Sequence, residues 1–127
     1  MKITVERDTL LEAVSNVSRA VSAKSNISAL EGILMKARDG SLFLCAYDLE
    51  LGISTSISAA VEIPGELVLN AKLFSEMIRR MPSQKILIES DEKLLTKVQC
   101  GVIQFDILGI PATEFPELPN VNDSEQV

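Results

Sequence analysis

The chain has 127 residues, a formal net charge of −6 and a hydrophobic content of 46%, enough for one domain that buries roughly two-thirds of its unfolded surface. Aromatics make up only 4% and Trp is absent, so the core is aliphatic; His is absent too. That excludes the commonest general base, the Ser-His-Asp triad and His-based metal sites, and no apolar run approaches the roughly 18 residues of a membrane span.

The opening stretch "KITVE" (2–6) alternates and is rich in β-branched residues, which predicts a strand. From Asp8 the period changes: Leu10, Val14, Val17 and Val21 fall on one helical stripe, with Leu11 at its margin and Ser15, Asn16, Arg19 and Ser22 opposite. A helix over 7–21 is expected, with Asp8 suited to the positive end of its dipole. "SAKSNIS" (22–28) is a loop by its Ser and Asn content. "GILMKA" and "SLFLCAY" follow, joined through "RDGS", and Asp-Gly between apolar runs signals a hairpin. "LGISTSISAAVEI" (51–63) reads as one further strand, and "PGE" (64–66) turns the chain. "LVLNA" is a short strand whose Asn70 suits the N-cap of a helix over 71–81, which Pro82 stops. "QKILIES", "KLLTKVQC" and "VIQFDILGI" read as three strands, with "SDEK" turning between the first two. The tail from Pro111 is Pro-rich and acidic, as in a linker.

Strand–helix–three strands therefore occurs twice, at a spacing of roughly 65 residues. Two helices and about eight strands predict an α+β domain with both helices on one face of the sheets.

The charge is segregated. Residues 7–24 and 70–81 hold six basic side chains (Arg7, Arg19, Lys24, Lys72, Arg79, Arg80) against Asp8, Glu12 and Glu76, a balance of +3; six basic and fifteen acidic residues leave the remainder at −9. In 71–81, Phe74, Met77, Ile78 and Met81 form the apolar stripe. Lys72 and Arg79 lie about 20° apart on the opposite face, roughly 10 Å apart along the axis. On the residues alone two readings stay open: an ordinary solvated helix face, or a shallow basic track for a phosphate backbone.

Enzyme chemistry finds little to work with. No GxxxxGK[ST] phosphate loop is present. Cys45 and Cys100 lie far apart among strand-like residues and read as buried free thiols; two cysteines cannot make a Cys₄ zinc site. Asp48 and Glu50 in "YDLELG" fall on one side of an extended stretch and read as turn or solvent-facing residues. Asp91 and Glu92 sit at a predicted hairpin tip. No metal and no cofactor is expected. The start "MKITVERD" lacks the apolar region of a secretory signal, so a soluble cytoplasmic protein is expected, with no membrane partner.

Four ordered segments carry a resemblance: "MKITVERDTLLEAVSNVSRAV", "DGSLFLCAYDLELGI", "NAKLFSEMIRRMP" and "FDILGIPATEFPELP". Together they resemble the amino-terminal domain of the bacterial DNA polymerase III β subunits, the sliding clamps, over roughly residues 1–121. The resemblance implies the DNA-clamp fold and a non-catalytic ring of two subunits, each with three domains of one fold. Such a ring encircles duplex DNA without reading its sequence and gives processivity to the replicative polymerase. Both helices would line the hole, with Lys24, Lys72, Arg79 and, more weakly, Arg19 facing DNA. Glu12 shares the face of Arg19, and Lys24 stands where Arg is common, which keeps the charge but loses the bidentate fork. Many members read "PIL" where this chain has "SAL" (28–30).

The resemblance also implies a head-to-tail seam between subunits. Alternation puts Ile103, Phe105 and Ile107 on one face of a strand that ends the second repeat. Phe105 and Ile107 match the apolar seam positions, Leu73 could join them, and ordinary core packing of all three is the alternative. DNA polymerase III and a clamp loader would bind through the second and third domains, absent from these 127 residues, so 122–127 reads as the start of a linker or a chain end. The competing class of function is a non-enzymatic protein-interaction module that pairs through an exposed sheet edge.

Overall fold

Alternation along strand β1 (Lys2–Glu6) turns Ile3 and Val5 inward, and Asp8 then opens helix α1 (Arg7–Val17), whose Leu10, Ala13, Val14 and Val17 are buried. The computed structural model describes residues 1–22 and 25–117. Strands β2 (Gly32–Arg38) and β3 (Ser41–Tyr47) form the expected hairpin around Asp39 and Gly40. Both turn residues have positive φ, 51° and 73°, as a tight turn matched to strand twist requires. Strands β4 (Gly52–Ser58) and β5 (Ala60–Ile63) replace the single strand expected over 51–63. The chain changes sheets at Ala59, whose N–H donates to the Gly40 carbonyl at 3.0 Å; β4 pairs with β3 while β5 pairs with β1.

The second repeat supplies β6 (Gly65–Asn70), α2 (Ala71–Arg79), β7 (Lys85–Ser90), β8 (Leu95–Cys100) and β9 (Ile103–Leu108). Asn70 caps α2 as expected, its Oδ1 accepting from the Leu73 N–H at 3.0 Å. Both helices are shorter than their periodicity suggests. The Ser18 hydroxyl donates to the Val14 carbonyl at 2.6 Å and a 3-10 turn, Ser18–Ala20, takes over; such local bonds compete with the α-helical ladder. Helix α2 ends at Arg79, before Pro82.

Two antiparallel sheets result, with orders β5-β1-β7-β8-β9 and β4-β3-β2-β6. Each repeat lends its first strand to the other's sheet: β1 pairs with β7, and β6 with β2. The inner sheet faces (Ile33, Met35, Leu44 and Leu67 on one side, Ile3, Ile86, Ile88 and Val98 on the other) and the helix stripes (Leu10, Val14, Phe74, Ile78) close one core. The approach of β2 to β6 is tight, since a Cβ on Gly32 would lie 2.5 Å from Val68 Cγ1 and 2.9 Å from the Leu69 carbonyl oxygen. A second, smaller cluster lies on the opposite face of the four-stranded sheet, where Leu34, Cys45, Tyr47 and Val68 are covered by Phe115. The backbone of Ile110 and Val68 exchanges two hydrogen bonds there, at 2.8 and 2.9 Å. The cover comes from the Pro-rich segment read as linker, so its first residues belong to the fold.

Candidate nucleic-acid interface

Packing the apolar stripes of α1 and α2 into the shared core leaves their opposite faces to solvent. Lys72, in the first turn of α2, and Arg79, in the last, are both exposed. They line one groove of about 630 Å³ between the helices, whose other side carries Ser15 and Ser18. Among the described residues the ion pairs are Lys2–Glu62, Arg7–Asp8 and Lys97–Glu89, so neither Lys72 nor Arg79 is held in an ion pair, though Glu31 and Glu76 line the same groove. Two cations about 10 Å apart, sharing the groove with small hydroxyl side chains and with those two carboxylates, can meet phosphates but offer no deep pocket in which to read a base edge.

The other predicted DNA-facing residues fare differently. Arg19 is exposed in the 3-10 turn after α1, outside the groove lining, and is not ion-paired with Glu12. Lys24 lies outside the described residues. Arg7, counted above with the basic helix residues, is committed elsewhere. Its Nε donates to the Ile78 carbonyl at 3.2 Å and its Nη2 to the Arg79 carbonyl at 3.2 Å, so it binds the last carbonyls of α2 from the start of α1. Sequence periodicity carries no signal for this contact across 71 residues. The Ser83 hydroxyl and the Arg7 guanidinium hold the Asp8 carboxyl below its ordinary value, which ties the entrance of α1 to the loop after α2.

Strand β9 ends the five-stranded sheet, and its outer side is unpaired among the described residues. Ile107 is 7% exposed and packs in the main core, Phe105 is half-buried against that core, and Leu73 is 50% exposed on the first turn of α2. The three predicted seam residues thus span the range from core to surface.

The carboxylates near the turns are structural in geometry. Asp48 Oδ1 accepts from the backbone N–H groups of Glu50, at 3.0 Å, and Leu51, at 2.7 Å. Those two bonds, that of Leu51 foremost, lower its pKa, and they hold a turn in which Leu49 has φ 79°. Glu50 is exposed. Asp91 Oδ1 likewise accepts from Lys93 and Leu95. Among the described residues no group of three or more His, Cys, Asp or Glu gathers to hold a metal. Cys45 and Cys100 are buried free thiols. No helix among the described residues is long and apolar enough to cross a membrane.

Comparison with known proteins agrees with this architecture. The family model for the DNA polymerase III beta subunit, N-terminal domain, matches residues 1–119. The beta sliding clamp of Bacillus subtilis (strain 168) is 31% identical over all of this chain and 36% of its own length. That of Synechococcus elongatus is 38% identical over 98% of this chain and 34% of its own length. A crystal structure of the DNA polymerase sliding clamp from Bacillus subtilis superposes with TM-score 0.92 at 32% identity, covering 97% of this chain and 34% of that one. One from Caulobacter crescentus gives 0.90 at 27% identity, covering 96% and 34%. The chain spans about a third of the length of these relatives, and the backbone superposition over that third agrees with the expected α+β class. The chain belongs to the family of DNA polymerase III beta subunit N-terminal domains.

Proposed function

We propose that this chain is the first domain of a ring-shaped sliding clamp that encircles duplex DNA and confers processivity on the replicative DNA polymerase. The observation that carries the reading is the shared exposure of Lys72 and Arg79 beside one shallow groove between α1 and α2, with no ion-pair partner among the described residues. A ring must hold DNA and still slide. Weak, salt-screened attraction to phosphates serves both needs, whereas base contacts would arrest movement. The −9 balance of the remaining chain favours DNA on the helix side over the sheet side.

In this reading the domain is non-catalytic and cytoplasmic. Residues 1–121 are followed by a linker and further domains, which bind DNA polymerase III and the clamp loader. The ring closes head to tail as a homodimer through the free edge of β9, with Phe105 and Leu73 at the seam and Ile107 supporting the edge from the core. Lys24 and Arg19 add to the DNA face.

The test uses the full-length protein loaded on nicked circular and on linear duplex. Retention on circles and loss from linear ends is expected. Replacing both Lys72 and Arg79 by Ala should lower the slope of log K against log salt by about 0.9 for each phosphate that is no longer neutralised. An unchanged slope rejects these residues as phosphate ligands; equal retention on both DNAs rejects the ring.

A further inference from the structure

The groove between α1 and α2 holds a charge that neither the helix nor a bonded partner explains. Two carboxylates line it, Glu31 and Glu76. Glu31 has a structural task, since its Oε2 accepts from the Ser25 N–H at 3.3 Å. Glu76 is exposed, and among the described residues its carboxylate forms no ion pair. Helix geometry sets it beside both cations of the groove. At 100° per residue it lies about 40° from Lys72 and about 60° from Arg79 around α2, roughly 6 Å and 4.5 Å away along the axis. Those are the i,i+4 and i,i+3 spacings at which helix side chains pair, yet neither pair forms. Nor does α2 gain from an acid there. The Glu76 carbonyl accepts from the Arg80 N–H at 3.3 Å, so the residue belongs to the last turn, where the helix dipole disfavours a negative side chain.

We infer that Glu76 limits how strongly this groove attracts DNA: it repels the phosphates that Lys72 and Arg79 attract, and so keeps the ring mobile. The inference rests on the sliding-clamp reading and deepens it, by assigning a residue that tunes movement along DNA rather than one that binds it. On the outer face of α2, Lys72 and Arg79 alone would carry +2, and Glu76 brings that face to +1. The axial offsets of roughly 4.5 and 6 Å are shorter than the Debye length of about 8 Å at physiological salt, so dissolved ions screen the repulsion only in part. A phosphate drawn to either cation therefore meets the carboxylate as well. Without that carboxylate the same two cations would hold each phosphate for longer, and a ring that must pass from one phosphate to the next would slow. A carboxylate that is merely solvated predicts the opposite, since its replacement would leave movement as it was.

The test loads the full-length protein on stretched linear duplex with both ends blocked and tracks single labelled rings at about 20 mM and about 150 mM salt. Glu76→Gln keeps the size and polarity of an exposed side chain, so the fold persists. It should slow diffusion about threefold at the lower salt, with the difference shrinking as salt rises. Glu92→Gln removes the same charge from an exposed residue in the turn between β7 and β8 and should slide as wild type. Lys72→Gln with Glu76→Gln restores the local balance and should also slide as wild type. The proposal is overturned by Glu76→Gln rings that diffuse at the wild-type rate at low salt, by equal slowing in Glu92→Gln, or by slowing that persists in the double variant. Duplex with unblocked ends separates the two levels of the argument. Wild-type protein held equally on blocked and unblocked duplex rejects the ring and this inference with it. Loss from open ends together with unchanged diffusion of Glu76→Gln rejects the role of Glu76 alone.

Discussion

Arg7→Ala separates a residue that builds the helix pair from those that face DNA. The Arg7 side chain is 20% exposed, and it spans from the start of α1 to the Ile78 and Arg79 carbonyls at the end of α2. The part-buried bond from a charged donor to Ile78 contributes about 1–1.5 kcal/mol. The exposed bond to Arg79 contributes less than about 0.5 kcal/mol, and a cation at the negative end of the α2 dipole about 0.5 kcal/mol. The pair with Asp8 is exposed and adds nothing reliable. A loss of about 2 kcal/mol follows, a drop in Tm of roughly 6–10 °C for a chain of this length, read by urea and thermal unfolding followed by circular dichroism. Arg7→Lys should recover little of it, since one ammonium cannot serve two carbonyls with the guanidinium fork. The same variant in the full-length protein should leave the salt slope of DNA binding unchanged, because Arg7 is spent on backbone carbonyls. A stability loss below about 0.5 kcal/mol, full rescue by Lys, or a reduced salt slope would each refute the assignment.

Gly32→Ala should cost about 1–2 kcal/mol in urea unfolding, because its Cβ would stand 2.5 Å from Val68 Cγ1 and 2.9 Å from a backbone oxygen. Burial pushes the Cys45 thiol up from 9.0 to about 11, so the folded state keeps it neutral where the unfolded chain ionises. Its contribution to stability is full below pH 9.0 and falls as pH rises toward about 11; thiol reagents at pH 8 should leave it unmodified until denaturant is added. Asp8 and Asp48 have carboxyls lowered from 3.8, so the stability they add is present above that value and lost as pH falls through their folded values. Asp48→Asn should therefore flatten the acid limb of a urea-midpoint profile. In the full-length ring, Leu73→Glu with Phe105→Ala should shift dimer toward monomer in sedimentation with native circular dichroism, whereas Ile107→Ala should also destabilise the domain itself by about 2–4 kcal/mol.

The strands, the two helices, the Asp39–Gly40 hairpin and the Asn70 cap were legible in the sequence, because each is set by residues within a few positions of one another. So were the basic outer faces of the helices: periodicity states which side of its own element a residue occupies, and Lys72 and Arg79 sit opposite Phe74 and Ile78. The ends of helices were not, since a Ser18 hydroxyl bonding back to Val14 outweighs a continued apolar stripe. Nor was the break at Ala59, because β-branched residues favour extended backbone without stating which sheet they join. Alternation likewise put Phe105 and Ile107 on one face, and only packing showed Ile107 in the core and Phe105 half out of it. By itself, then, the sequence determined most of the elements, the Asn70 cap and the Asp39–Gly40 turn, and which side of each helix is apolar or charged. The tertiary structure alone decided that each repeat lends its first strand to the other's sheet, that Arg7 serves the end of α2, and that Phe115 covers one outer face beside Lys36 and Arg38. Those contacts join residues far apart along the chain. Their energy comes from surface that becomes buried only when the whole chain has closed, which no local pattern records.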